Sequence, residues 1–494
     1  MTDYDAVVIG AGNAGLTAAA TLQRAGVRTL LVERHNVPGG CATSFRRGRF
    51  EFEVALHQLS GIGQQGQPFS LRGLFDSLGV SDRIEFIEEH DLYRAVVPGE
   101  VDLTLPADWE GAADAIERAY PGNGERARRF FDLVRQIAVW QVAARKGMPV
   151  EQIDQVLFRQ GLRSTQDVLD DYFDDPAVKF ALAAYWGYLG QPPEFLPFQD
   201  MATLLFAYFE FKPWHIRGGS QAMSAAIFDA FTAAGGQALF NTEVQQILVR
   251  EGRVAGVRLD DGQEIATRDI VSNASLPLTY GMLEGAAVPA NVREDLGTRR
   301  IGVSAFVLYM GLNATAADLG FTTSTTFVNR DMDNTRTYES WRTLEPVRGV
   351  AITSYDVAPI GFAPTGASHV SLLTLQYGCA WDHVDPGDYA RTKFAYAQTL
   401  FDLVDPVVPG LRDAIEELDV GTPLTMMHYL GHPHGAIYGY DQDATENWLF
   451  RTNERNPQIP GLYIAGSWTG MGGFQPSLEA GARIARRLLR AQAA

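Results

Sequence analysis

Cysteine and lysine are scarce in this 494-residue chain. Cys41 and Cys379 are its only thiols, allow one disulfide at most and form no CxxC pair. A thiolate zinc site is therefore unsupported, and a reducing compartment is expected. Only four of the 41 basic residues are lysines, at positions Lys146, Lys179, Lys212 and Lys393, which narrows any lysine-dependent mechanism to four candidates. Long apolar runs are missing as well: none reaches the roughly 18 residues that a spanning helix needs. The first apolar stretch, Ala6 to Ile9, follows Asp3 and Asp5 and ends in glycines, the pattern of a strand and not of a signal peptide. Positive charge is in deficit, with a net charge of −18. Phosphate backbones repel such a chain, so no nucleic-acid partner is expected, and the expected location is the cytoplasm.

What remains is the composition of a globular protein: 46% hydrophobic, 20% charged, 49 Gly and 24 Pro. This excludes disorder, collagen-like repeats and coiled coil. One core rarely fills more than roughly 250–300 residues, so two domains, or one large domain with insertions, are expected.

The first 34 residues carry the most information. Ala6-Val7-Val8-Ile9 reads as a strand buried on both faces of a parallel sheet. Gly10, Gly12 and Gly15 follow at GxGxxG spacing, Ala14 to Ala25 reads as a helix that Gly26 stops, and Arg28 to Val32 is a second strand ending at Glu33. In this arrangement Gly10 permits a tight turn, Gly12 lets the backbone approach a pyrophosphate, and Gly15 allows close helix–strand packing. Asn13 and Ala14 sit at the helix N-terminus, whose unpaired N–H groups favour phosphate. Glu33 can accept hydrogen bonds from ribose hydroxyls, which favours FAD or NAD over a 2′-phosphorylated nucleotide.

The next stretch separates FAD from NAD. Residues 34–52 read RHNVPGGCATSFRRGRFEF, a second glycine turn followed by alternating polar and apolar residues, where a nicotinamide dehydrogenase proceeds to another βαβ unit. This segment resembles the flavin-binding amine oxidase and phytoene desaturase superfamily, most closely its branch of carotenoid desaturases, carotenoid cis-trans isomerases and retinol saturases. The resemblance implies that Arg34, Gly39, Gly40, Cys41 and Ala42 line FAD. It also implies that His57, in the segment Val54-Ala55-Leu56-His57, lies near the flavin ring.

Two later segments fit the same scheme. Val244 to Arg250 and Val254 to Leu259, with the hairpin turn Asp260-Asp261-Gly262, form a β-meander preceded by a helix from near Gln221. The resemblance places Val244, after Glu243, against the adenine. Gly461 to Gly466 reads as a strand ending in glycine, and Ser477 to Leu489 as a helix. The resemblance sets Gly466, Ser467, Gly473 and Phe474 against the cofactor, although Ser467 stands where the family often has an acid. The expected architecture is α/β: a discontinuous Rossmann-like FAD-binding domain (1–80, 215–298, 441–494) and an α+β substrate domain (81–214, 299–440). No second GxGxxG follows a strand, so the electron donor or acceptor stays open.

Thirteen aromatics fall within the 43 residues from Tyr172 to Trp214. They read either as ordinary core or as an apolar channel for a hydrophobic polyene or isoprenoid molecule. Residues 125–146 hold six basic against two acidic residues among Phe130, Phe131, Ile137 and Trp140. That is the pattern of a solvated helix face or of peripheral contact with a membrane. His428, His432 and His434 cluster with Tyr438 in HYLGHPHGAIYGY, but prolines and glycines keep them off one helix, so no metal site is expected. The segment resembles a flavin-proximal stretch of the same branch, which makes His434 and Tyr438, with His57, the catalytic candidates. Two other readings stand beside a polyene-transforming FAD enzyme: an FAD-dependent amine or amino-acid oxidase, and a flavin-free prenyl-lipid escort protein.

Overall fold

A computed structural model describes residues 3–64, 66–145, 155–443 and 459–493. Lys146 and residues 444–458 of the expected C-terminal FAD segment lie outside the described residues.

Ala6–Ile9 is buried along its whole length because it is the middle strand of a five-stranded sheet. The order is Gln237–Leu239, Thr29–Val32, Ala6–Ile9, Asp269–Ser272, Leu462–Ile464, and every neighbouring pair is parallel. Parallel neighbours require crossovers. The Asn13–Arg24 helix makes the first, whereas the others are long excursions, so distant parts of the chain meet in one sheet.

Helices cover one face of this sheet: Asn13–Arg24, Gly219–Ala233 and Phe474–Ala493. The first and last approach closely because Gly481 lacks a side chain; a Cβ there would stand 2.0 Å from the carbonyl oxygen of Ala14. The Thr17 hydroxyl joins the two helices by donating to the Leu478 carbonyl at 2.8 Å. The β-meander covers the other face, where Val244, Ile247 and Val257 pack on Val7, Ile9, Leu30 and Val32. The C-terminal helix starts at Phe474, three residues before the expected Ser477, because proline is tolerated in a first helical turn and Pro476 falls there.

A second, seven-stranded sheet runs in the order Ile415–Gly421, Ser304–Leu312, Ser368–Gln376, Gly349–Ser354, Thr325–Asn329, Asp91–Val97, Val101–Pro106. It is antiparallel except where Thr325–Asn329 meets Asp91–Val97. The helix Tyr389–Val404 packs on one face. The helices between Trp109 and Phe211 pack on the other and bring Phe327, Ala351 and Leu375 into one core with Phe130, Phe173, Tyr185 and Phe209. The mixed α/β class expected from the sequence is thus present.

Candidate active site

The first glycine turn leaves the sheet at Gly10, in the left-handed region at φ +90°. Gly15 lies directly above it, and a Cβ at Gly15 would stand 1.8 Å from the Gly10 carbonyl oxygen, so the helix can approach the strand only with glycine there. The second glycine turn docks on the first. Gly39 N–H donates to the Ala11 carbonyl at 2.8 Å, and Gly12 bridges Gly39. Glu33 accepts from the Ala11 amide at 2.6 Å and the His35 amide at 2.8 Å, one per carboxylate oxygen. Each oxygen keeps lone-pair capacity for a hydroxyl.

Asn273 completes this floor. It follows the strand Asp269–Ser272, and its side-chain nitrogen would stand 2.7 Å from a Cβ at Gly12. The sequence reading passed over Asn273. Its signal is position, since ligands bind outside the carboxyl ends of parallel strands. Asn13 Oδ1 is buried with no partner, and the first helix has Gly12 at its N-cap and no acid in its first turn. An orphaned polar atom, free helix amides and glycine approaches suit a dinucleotide.

Above the floor opens a cavity of about 1780 Å³, larger than the roughly 300–1,000 Å³ of a single-ligand pocket. Three distant segments line it. Gly10, Gly12, Asn13, Ala14, Glu33, Arg34, Gly39, Gly40 and Cys41 come from the first, Val244 from the second, and Gly466, Ser467, Gly473 and Phe474 from the third. Gly15 and Ala42 stand behind this surface: Gly15 packs on Gly10 as described, and the Ala42 carbonyl accepts from the Ser224 hydroxyl at 2.7 Å.

The rest of the wall is mostly apolar, including Leu56, Phe180, Tyr188, Phe206, Phe327 and Leu373, with polar side chains such as Gln58, Gln141 and Thr374 among them. The aromatic-rich segment therefore does both things expected of it. Tyr185, Phe198 and Phe209 are core, while Phe180, Trp186, Tyr188, Phe206 and Tyr208 also face the cavity. The cavity reaches the surface beside Phe158, 43% exposed, and Leu162, 56% exposed.

His57 faces the cavity with its Nδ1 unpartnered. Burial, and secondarily the nearby His215, lowers its pKa to about 4, so the ring is neutral near pH 7. Its loop is fixed from below. Buried Glu53 accepts from the Ala55 and Leu56 amides and from the amide and hydroxyl of Ser220. The Nε2 of His215 contacts the His57 carbonyl oxygen at 2.9 Å. Tyr438 also lines the cavity; its ring packs on Gly472, and burial pushes its hydroxyl up to about 12. Burial likewise pushes the Cys41 thiol up to about 11, which keeps it protonated and a poor nucleophile.

The histidine cluster divides. His434 sits in the left-handed region at φ 52°; its side chain is 46% exposed, lies 3.8 Å from Asp382 and is not on the cavity wall. His432, named in the cluster but not among the catalytic candidates, faces the cavity instead. Its Nδ1 lies 2.7 Å from the Ala436 carbonyl, and burial lowers its pKa to about 4. Among the described residues no group of His, Cys, Asp and Glu is arranged to hold a metal ion.

The described lysines stand away from the cavity wall. Lys179 pairs with Asp170 at 2.6 Å, Lys212 donates to the Ala107 carbonyl, and Lys393 lies over Tyr389 and Phe394. Three arginines of the basic stretch are paired: Arg126 with Asp174, Arg128 with Glu110 and Asp114, and Arg135 with Asp132. No helix of the described residues is long and apolar enough to cross a membrane.

A parallel sheet whose first turn, meander and last helix meet around one cavity defines a dinucleotide-dependent oxidoreductase of the two-sheet, FAD-binding type. The chain belongs to the flavin containing amine oxidoreductase family, whose model matches residues 13–489, and it is an FAD-dependent oxidoreductase. It is 25% identical to the all-trans-retinol 13,14-reductase of Danio rerio, over 96% of this chain and 84% of that one. It is 26% identical to the lycopene-forming phytoene desaturase of Pseudescherichia vulneris, over 98% of each. To prolycopene isomerase 2 of an Oncidium hybrid cultivar it is 23% identical, over 94% and 80%. Among solved structures, an oxidoreductase from Methanosarcina mazei superposes with a TM-score of 0.65 at 17% identity, covering 98% and 99%. Putrescine oxidase bound to putrescine gives 0.67 at 14%, covering 99% of each. At these identities the two structures speak to the fold alone.

Proposed function

We propose that this protein transforms carbon–carbon double bonds of a long hydrophobic polyene or isoprenoid lipid, by desaturation, saturation or cis-trans isomerisation. The observation that carries this reading is one continuous cavity whose floor is a dinucleotide cradle and whose remaining wall is mostly apolar and aromatic. The curated relatives, named for retinol, phytoene and prolycopene, support it.

In this reading residues 1–80, 215–298 and 441–494 hold FAD, and residues 81–214 and 299–440 form the substrate domain. Glu33 accepts from the ribose, Gly12, Asn13 and Ala14 present the backbone to the pyrophosphate, and Val244 meets the adenine. Gly39, Gly40, Gly466, Ser467 and Gly473 surround the rest of the cofactor. When bound, the flavin supplies hydride transfer at its ring. His57 and Tyr438 border the reacting region. His57 is neutral there and holds an unused ring nitrogen, so it can hold a proton at Nδ1 or accept one; Tyr438 keeps its hydroxyl proton. The aromatic wall excludes water. Substrate enters beside Phe158 and Leu162, and any contact with a lipid surface is made by these side chains and exposed Val139 in place of the paired arginines.

An amine oxidase reading lacks support in the wall, which has no described lysine. A flavin-free escort role lacks support because the whole cradle is intact. The test is anaerobic incubation of holoenzyme, oxidised or reduced, with carotenoid, retinoid and polyunsaturated lipid panels, followed by mass analysis. A change of two hydrogens marks desaturation or saturation, and unchanged mass with altered retention marks isomerisation. Peroxide release from free amines, with every polyene unaltered, would overturn the proposal.

A further inference from the structure

Polar side chains also stand in the cavity wall, and Gln58 and Gln141 among them are hydrogen-bonded within the protein, whereas one recess is not satisfied in this way. Asn329 ends the strand Thr325–Asn329 and pairs across the ladder with Gly349, one step along the same sheet face from the Phe327–Ala351 rung that also lines the cavity. Asn329 is 7% exposed and faces the cavity. Its carboxamide takes part in no hydrogen bond among the described residues. Beside it is Thr337, 2% exposed, whose hydroxyl is buried without a partner. The two converge over Gly349: a Cβ there would meet Thr337 Cγ2 at 3.1 Å and Asn329 Oδ1 at 3.2 Å. Any side chain at that position would close the gap between them. Trp186 and Trp341, stacked at 4.9 Å between centroids, form the adjoining aromatic wall.

Buried amides and hydroxyls are normally satisfied, and an unsatisfied one costs about 1–3 kcal/mol. A cavity shaped only for hydrocarbon has no use for a carboxamide in its wall, whereas an amide offers both a donor and an acceptor to a hydroxyl or carbonyl oxygen. Resting on the polyene reading above, we propose that the substrate is an oxygenated polyene, and that Asn329, aided by Thr337, binds its terminal hydroxyl or carbonyl beside the stacked tryptophans. Asn329 is then a specificity-determining residue remote from the cradle.

The test measures binding by quenching of tryptophan fluorescence in the holoenzyme, which needs no turnover. The probes are all-trans-retinol and the hydrocarbon in which hydrogen replaces its hydroxyl. Wild type is expected to bind the alcohol at least about tenfold more tightly than the hydrocarbon. Asn329→Leu removes that preference by weakening the alcohol about tenfold while hydrocarbon binding is retained. Thr337→Val, nearly isosteric, lowers the preference in the same direction, and it decides the matter should Asn329→Leu fail to fold. Equal or tighter binding of the hydrocarbon by wild type, or an unaltered preference in Thr337→Val and Asn329→Leu, overturns the proposal and leaves the polyene reading in place. Failure of both probes to bind overturns the polyene reading together with it.

Discussion

His215 holds the loop that carries His57: its Nε2 lies 2.9 Å from the His57 carbonyl oxygen, and its Nδ1 lies 2.8 Å from that of Ala358. Each nitrogen faces a backbone carbonyl oxygen, and the ring is 1% exposed. Glu89 Oε1 lies 3.5 Å from Nε2. Burial raises the Glu89 carboxyl above its usual range while the His215 ring opposes that shift. Two distant carbonyls and a buried carboxyl thus converge on one imidazole directly behind the cavity wall.

Replacing His215 by Phe removes the imidazole from both carbonyls and leaves at least one of them without its donor. The expected loss is at least about 1–3 kcal/mol, the cost of one unsatisfied buried group. Denaturant unfolding of wild type and variant measures it. Because His215 is the secondary cause of the lowered His57 pKa, that pKa should also rise. A variant as stable as wild type would contradict the bridging of the two carbonyls by His215.

His369 offers an isolated pH test. Its ring is fully buried, stacks on Tyr355 at 4.4 Å and has both nitrogens unpartnered. Burial lowers its pKa to about 3 from the ordinary 6.5. Below pH 6.5 the unfolded chain binds a proton here that the folded chain refuses, so this residue lowers stability as pH falls from 6.5 toward 3. The Phe variant escapes that loss. Relative to wild type, His369→Phe should gain about 2–3 kcal/mol between pH 7.5 and 4.5, measured as paired unfolding curves. A difference independent of pH would contradict the buried neutral ring.

Gly12→Val should remove flavin from the purified protein, read as lost visible absorbance, because the new side chain enters the cradle against Asn273. Gly15→Ala should do the same with a loss of stability, since its Cβ would stand 1.8 Å from the backbone oxygen of Gly10. Full flavin content in either variant would contradict the placement of the cradle.

His57→Phe should retain flavin and lower turnover about 10²–10⁴-fold, the usual range for loss of a proton-handling group. His434→Ala should change neither flavin content nor turnover, because that side chain points to solvent near Asp382. The opposite pattern in stopped-flow assays would return the catalytic role to His434.

Much of this molecule was legible without coordinates, and for a local reason. The glycines at 10, 12 and 15, the strand before them and Glu33 after them form one short unit whose turn geometry and hydrogen bonding are dictated by adjacent residues. The meander and the last strand–helix unit are equally local. Even there Asn273 escaped notice, because nothing in its neighbours marks it until the strand carrying it lies beside Ala6–Ile9.

Contact between remote segments belonged to the tertiary structure. Periodicity reports which side of an element is apolar but not what that side meets. The aromatics near residue 185 are core and cavity wall at once, and Arg126 and Arg128 find carboxylates contributed by other elements. One left-handed residue turns His434 outward and leaves His432 on the cavity wall. The meeting of Asn329 with Thr337 over Gly349, and of His215 with the His57 carbonyl, exists only after folding, because each joins groups that sequence order holds apart.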